Sequence, residues 1–428
     1  MTSKYFQRTI AVGSSVLIFA GLVFAQDGST RPRRVNAPSN ISRADRSAPP
    51  ATSDASAPDD SSASRPSTNA AGANVSAPSS SSSSINSSGS STGTADTSRA
   101  YSLLQQKQYA AAAREAKQIA ANDPNNAEAW KIAGFAEFNL KQYDAATADL
   151  QRALDLQRAA KQEDANTIDA LAQAYVLTEK FDRALPLLVT ATTRKGGTPD
   201  AVMLYYRGIA EYRTGKAADA ERSFNAAVKA NPKDAASLYY LGQLAYARSD
   251  WDAAIGALNR ATQSDARLAQ AWALLTSAYL RRAAGAPGAK ADADYLNAVR
   301  AGESLTRIKT DAEAATLYGQ ALIGAKQYAK AATALERATA GDQAKGPTLY
   351  LLGVAYSRAE NFPKAIAALE RAAALTPDNV NTYRELGYAY EVSKQYAKAL
   401  AAYQKGAELA PADTNFKESI ERVQPFAK

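Results

Sequence analysis

The sequence predicts an all-α fold: a right-handed superhelical solenoid of about nine helix-turn-helix repeats with a C-terminal capping helix, preceded by a disordered linker. Three observations predict it. The chain repeats itself with a period of 34 residues. Within that period, small and large apolar residues hold fixed places. Ahead of the repeats, a long Ser-rich tract almost lacks the aliphatic side chains that a core requires.

The chain has 428 residues, of which 46% are hydrophobic and 21% charged, so most of it can bury a core. It contains no His and no Cys. That excludes Ser-His-Asp and Cys-His triads, a thiolate nucleophile, a disulfide framework and the common zinc sites, since each needs an imidazole or a sulfur. No cofactor and no metal site is expected.

The N-terminus reads as an export signal over residues 1–25. Lys4 and Arg8 precede an apolar run at residues 10–24, and Val23-Phe24-Ala25 suits cleavage before Gln26. The run is shorter than the roughly 20 residues that span a bilayer, so a cleaved signal is expected and no stable membrane insertion after it. No Cys follows the cut, which excludes a lipid-anchored lipoprotein. The expected location is periplasmic or secreted. The formal net charge is +8, but the Lys and Arg are dispersed, and a nucleic-acid surface would cluster them. Nucleic acid is therefore not an expected partner.

Residues 26–97 are rich in Ser, Ala, Pro and Thr, and Val35, Ile41, Val75 and Ile85 are their only large aliphatic residues. Such a tract cannot offset its ordering entropy by burial, so a disordered tether is expected there. Asn40, Asn74 and Asn86 match the glycosylation sequon, as Ser/Asn-rich tracts do by chance.

The solenoid is expected over residues 98–428. Residues 201–234 and 235–268 are two tandem copies of 34 residues. Both carry Leu at place four (Leu204, Leu238), Gly at place eight (Gly208, Gly242) and Ala at place twenty (Ala220, Ala254). Both carry a large apolar residue at place twenty-four (Phe224, Leu258) and Ala at place twenty-seven (Ala227, Ala261). The frame recurs through Trp130, Gly134 and Leu150, through Leu171 and Leu188, and through Trp272 and Leu275. It recurs again through Gly319 and Leu335, Gly353 and Leu369, and Gly387 and Tyr403. A first copy is visible mainly at Tyr109, Ala112, Ile119 and Pro124. Apolar spacing of three, four and seven makes each copy two amphipathic helices. Small residues at places eight and twenty let the two backbones cross closely. Proline at place thirty-two stops the second helix. One copy cannot bury both faces, so neighbours must stack. Residues 415–423, with Phe416, Ile420 and Val423 on one stripe, read as the cap. Gly406 stands where Ala is usual.

This pattern resembles the tetratricopeptide repeat (TPR) family over roughly residues 93–411. The resemblance implies that first helices line a concave face through places two, five, nine, twelve and thirteen. Those places give Phe135, Phe138, Tyr205, Tyr212, Arg213, Tyr239, Tyr246, Arg281, Tyr350, Arg358, Arg384 and Tyr388 as the partner-binding groove. Tyr and Arg are enriched in interface hot spots. The family's carboxylate clamp needs Lys at place five followed by Asn at place nine. Here Lys131 is followed by Phe135 and Arg384 by Tyr388, so the clamp is missing.

Residues 283–294 insert into the sixth copy. Gly285, Gly288 and Lys290 imitate a phosphate loop without its spacing, and Ala291 replaces the hydroxyl. The insertion is expected to be a lengthened turn. The expected function is a non-catalytic scaffold that binds protein partners of the cell envelope. The alternative is an adaptor for cell-wall or exported glycan through the groove tyrosines.

Overall fold

The computed structural model describes residues 96–194, 200–341 and 344–427. The expected signal and nearly all of the expected linker lie outside the described residues. The described residues form nine helix pairs. They are α1 (Ser98–Gln105) with α2 (Tyr109–Asn122), α3 (Ala127–Asn139) with α4 (Tyr143–Ala159), and α5 (Ala165–Leu177) with α6 (Phe181–Thr192). Next come α7 (Ala201–Arg213) with α8 (Ala217–Ala230), α9 (Ala235–Ala247) with α10 (Trp251–Ser264), and α11 (Ala269–Ala284) with α12 (Gly288–Ile308). The last three are α13 (Ala312–Gly324) with α14 (Tyr328–Ala338), α15 (Gly346–Arg358) with α16 (Phe362–Leu375), and α17 (Val380–Val392) with α18 (Tyr396–Leu409). A single helix, α19 (Thr414–Val423), and a 3-10 turn at Gln424–Phe426 follow.

Local chemistry sets the helix ends. Asn126, Asp164, Asp200, Asp234, Asp311 and Asn379 cap six of the first helices, and Asp413 caps α19; each side chain accepts a free backbone N–H of the first turn. Pro124, Pro232, Pro377 and Pro411 each follow the last residue of a second helix by two positions. Between paired helices the chain turns through one left-handed residue at place fifteen. Eight pairs have it, at Lys107, Lys141, Glu179, Gly215, Ser249, Lys326, Glu360 and Lys394. Only Gly215 adopts that backbone without a Cβ clash.

Packing follows the predicted crossing. A Cβ on Gly134 would lie 2.6 Å from Leu150 Cγ, and one on Gly208 would lie 2.6 Å from Phe224 Cε1. Gly242 stands in the same relation to Leu258, Gly319 to Leu335, Gly353 to Leu369 and Gly387 to Tyr403. Each second helix then packs on the next first helix. First helices also touch one another along most of the stack, as α3 does α5 and α13 does α15, whereas second helices make no comparable contact. Closer spacing along one side bends the stack, and the first helices occupy the inner side of the bend.

The sixth pair corrects one expectation. Apart from a short turn at residues 285–287, the insertion is helical, not one long turn. It extends α11 to Ala284 and supplies the opening turns of the 21-residue α12. Its Ala and Lys residues carry high helix propensity. Its buried Asp294 accepts from Arg282 Nε at 2.8 Å and Nη2 at 2.6 Å, which fastens the extension to α11.

Candidate functional site

The predicted site residues all lie on first helices, and the structure gathers most of them into two groups. The larger spans the fourth and fifth pairs. Tyr205 and Tyr212 on α7 and Tyr239 on α9 converge on Tyr240, with ring centroids 6.3, 5.6 and 5.4 Å from it. Tyr240 stacks on the buried Phe224 of α8 at 5.0 Å with an interplanar angle of 6°. Tyr246 meets Trp251 edge-on at 5.1 Å. Such pairs contribute about 0.5–1.5 kcal/mol each beyond burial. Tyr240 lies at place six and was not selected from the sequence. The consecutive doublets Tyr205-Tyr206 and Tyr239-Tyr240, in register 34 residues apart, were the available signal.

Burial shapes the chemistry of these phenols. It pushes Tyr205 well above the ordinary tyrosine range and Tyr239 up to about 12. Tyr240 is also raised by burial, opposed by the positive Arg213. Arg213 is exposed, and its guanidinium lies over the Phe181 ring at 5.7 Å from the centroid. A cleft of about 500 Å³ opens there, between the α5–α6 turn and the end of α7, with Glu179, Phe181, Asp182, Arg183, Arg213 and Thr214 among its walls.

The second group joins the eighth and ninth pairs. Tyr350 is raised to about 12, mainly by burial. Arg358 donates to both carboxylate oxygens of Glu385, at 2.8 and 3.1 Å. Arg384 pairs with Asp413 and lies over the Phe416 ring at 5.0 Å. Tyr388 is 42% exposed and meets Phe362 edge-on at 6.2 Å.

The two groups differ in available charge. Arg358 and Arg384 are consumed by carboxylates of the protein itself. Arg213 and Arg281 make no ion pair among the described residues, and Arg281 is half-buried. Phe135 packs partly buried against the core. Phe138 is 7% exposed and meets Tyr143 edge-on at 5.5 Å, so this predicted groove residue belongs to the core. It turns inward because the start of α4 supplies an apolar surface. Two glutamines at place nine were also missed. Gln173, 4% exposed, and the half-buried Gln243 each have a side-chain oxygen without a hydrogen-bond partner among the described residues.

Among the described residues no three His, Cys, Asp or Glu side chains cluster to hold a metal ion. No helix among them is long and apolar enough to cross a membrane.

The tetratricopeptide repeat family model matches residues 97–164, 205–269 and 350–414, which cover the first two, the fourth and fifth, and the last two pairs. These three regions of the chain are tetratricopeptide repeats. Repeats of this family serve in general as non-catalytic scaffolds for protein interaction. None of the curated proteins compared with it matches. Among solved structures it is similar to YrrB, described as a TPR protein with an unusual peptide-binding site. That match is 16% identical, covers 47% of this chain and 99% of YrrB, and has a TM-score of 0.40. It is similar to the C-terminal part of a TPR repeat-containing protein from Cytophaga hutchinsonii, at 16% identity, 68% and 99% coverage and a TM-score of 0.42. It is also similar to MamA from Desulfovibrio magneticus RS-1, at 24% identity, 42% and 97% coverage and a TM-score of 0.37.

Proposed function

We propose that this chain is an adaptor of the cell envelope that holds a segment of a partner protein along its first-helix face. The location rests on the N-terminal sequence: Lys4 and Arg8, the apolar run at residues 10–24, and the small residue before Gln26. The binding role rests on one observation. The fourth to sixth pairs carry Tyr212, Tyr239 and Tyr246 at partly exposed positions, beside two arginines that make no ion pair among the described residues. Aromatic rings backed by packed neighbours, with unpaired guanidinium groups at the edge, have the composition of an interface hot spot.

The glycan reading is weaker. A sugar needs an open ring face, and Tyr205, Tyr239 and Tyr240 spend much of theirs on one another.

The test is crosslinking of the mature protein in its native envelope fraction, followed by mass spectrometry of what is captured. A Tyr212→Ala/Tyr246→Ala variant runs alongside, its helicity checked by circular dichroism. Tyr205 is unsuitable because its ring supports Phe224 at 6.2 Å. Capture of one or two proteins that is lost in the folded variant supports the reading. Capture that ignores both tyrosines removes the groove, recovery of glycan alone favours the second reading, and fractionation with the cytosol removes the envelope.

A further inference from the structure

We propose that the fourth to sixth pairs read an acidic, extended partner segment, with carboxylates on Arg213 and Arg281 and apolar side chains on the tyrosines between them. This rests on the groove reading above and adds the chemistry of the occupant.

The argument is one of charge accounting along the face. Helix α9, at its centre, has no charged residue at all. Helix α7 has one acid, Glu211, which is buried and saturated: it accepts from Arg207 Nε at 2.8 Å and from Ser223 Oγ at 2.6 Å. Helix α11 has no acid, and its Arg282 is held by Asp294 and Asp252. The capping carboxylates Asp200 and Asp234 are engaged with backbone N–H groups at the helix starts.

The flanking first helices are neutralised internally. Asp169 on α5 takes both ends of the Arg194 guanidinium, at 2.6 and 2.9 Å. Glu313 on α13 is paired with Lys309 at 3.1 Å.

Two guanidinium groups on the face make no ion pair among the described residues, both at place thirteen, two pairs apart, with Tyr239 and Tyr246 on the helix between; Arg213 lies over the Phe181 ring in a cleft that Glu179 and Asp182 also line. Guanidinium groups without an ion pair beside an aromatic band attract acidic chains and repel basic ones. Two charges on successive alternate repeats favour an extended ligand over a compact one, because a single carboxylate reaches only one of them.

The probe is a fluorescein-labelled twelve-residue peptide in which glutamate alternates with leucine and phenylalanine, with a lysine-for-glutamate counterpart. Binding to the full chain is read by fluorescence anisotropy at low and high salt. The acidic peptide is expected to bind, to weaken as salt rises, and to lose about tenfold or more in affinity with Arg213→Glu/Arg281→Glu. The lysine peptide is expected not to bind. No binding of the acidic peptide, equal binding of the lysine peptide, or indifference to the double charge reversal each overturns the proposal. A single-stranded oligonucleotide that binds as tightly as the acidic peptide also overturns it, since the face would then be reading phosphate.

The envelope crosslinking experiment separates this failure from failure of the groove. If the tyrosine variant loses the native partner and the arginine variant keeps it, the groove stands and the acidic reading falls. If neither variant changes capture, both fall.

Discussion

Gly406 on α18 leaves the space that the Phe416 ring of α19 fills: a Cβ on Gly406 would stand inside that ring's van der Waals envelope. Phe416 is 1% exposed. The departure from Ala at place twenty-seven of the ninth copy therefore marks the end of the stack. Here the next element is a single helix that brings a ring where another repeat would bring smaller groups. Gly406→Ala is expected to cost about 1–3 kcal/mol by overpacking. The loss should appear as faster amide exchange in residues 414–423, with the exchange of the α7–α10 region unchanged. Retained protection of α19 would show that the cap does not depend on this contact.

The same substitution should have opposite signs at two other glycines. At Gly208 a new Cβ would lie 2.6 Å from a ring atom of Phe224, which is fully buried. Gly208→Ala is expected to destabilise by about 1–3 kcal/mol. At Gly256, exposed inside α10, a Cβ would meet nothing within 4 Å. Gly256→Ala is expected to stabilise by about 0.5–1 kcal/mol through helix propensity alone. Urea denaturation of the two variants side by side checks the difference in sign.

A recurrent bond ties each of several repeats to the one before. The Tyr175 hydroxyl donates to Gln151 Oε1 at 2.7 Å, from place eleven of one repeat to place twenty-five of its predecessor. The same places join Tyr279 with Asn259 at 3.2 Å, Tyr356 with Glu336, and Tyr390 with Glu370. Tyr175→Phe is expected to cost about 0.5–1.5 kcal/mol. A double-mutant cycle with Gln151→Ala should show most of that as coupling energy. Additive single effects would mean that the bond does not hold the repeats together.

In the second repeat those two places hold Glu137 and Lys117, which form an ion pair across α3 and α2. Asp149 on α4 also approaches Lys117, at 3.5 Å, so two largely buried carboxylates share one cation. Burial, with help from Asp149, raises the pKa of Glu137, against the pull of Lys117. The folded chain therefore binds this proton more tightly than the unfolded chain. The resulting stabilisation is fully present below the unfolded value of about 4.3 and is lost as pH climbs through the higher folded value. Glu137→Gln should flatten that decline in a pH series of urea midpoints. An unchanged slope would mean that Glu137 titrates as in the unfolded chain.

Gln173 offers a separate stability test. Its buried side-chain oxygen has no partner among the described residues. An unsatisfied buried acceptor costs about 1–3 kcal/mol, so Gln173→Leu is expected to raise the urea midpoint. A lower midpoint would indicate that the glutamine is satisfied in solution.

Much of the fold was legible because it depends on spacing. Gly208 with Phe224, Pro232 after α8, and Phe416 with Val423 on one stripe are short-range patterns, and each reports a close crossing, a stop or a cap. The insertion in the sixth pair was misread for a related reason. Its Gly and Pro signalled a turn, but the deciding fact was the Arg282–Asp294 pair that makes its helical extension part of the core. The candidate site was legible only as a set of positions. Place twelve faces inward on α3, where Phe138 is buried, and outward on α7, where Tyr212 remains partly exposed.

The sequence by itself determined the helix pairs, their number and their ends, because caps, prolines and the 34-residue period act within a few turns of chain. Tertiary structure alone decided which rings meet and which charges stay free. Tyr240 became the centre of a cluster because Phe224 lies beneath it. Arg358 and Arg384 found Glu385 and Asp413 on the next element, whereas Arg213 and Arg281 make no ion pair among the described residues. Those outcomes depend on distances between repeats, which no local pattern encodes.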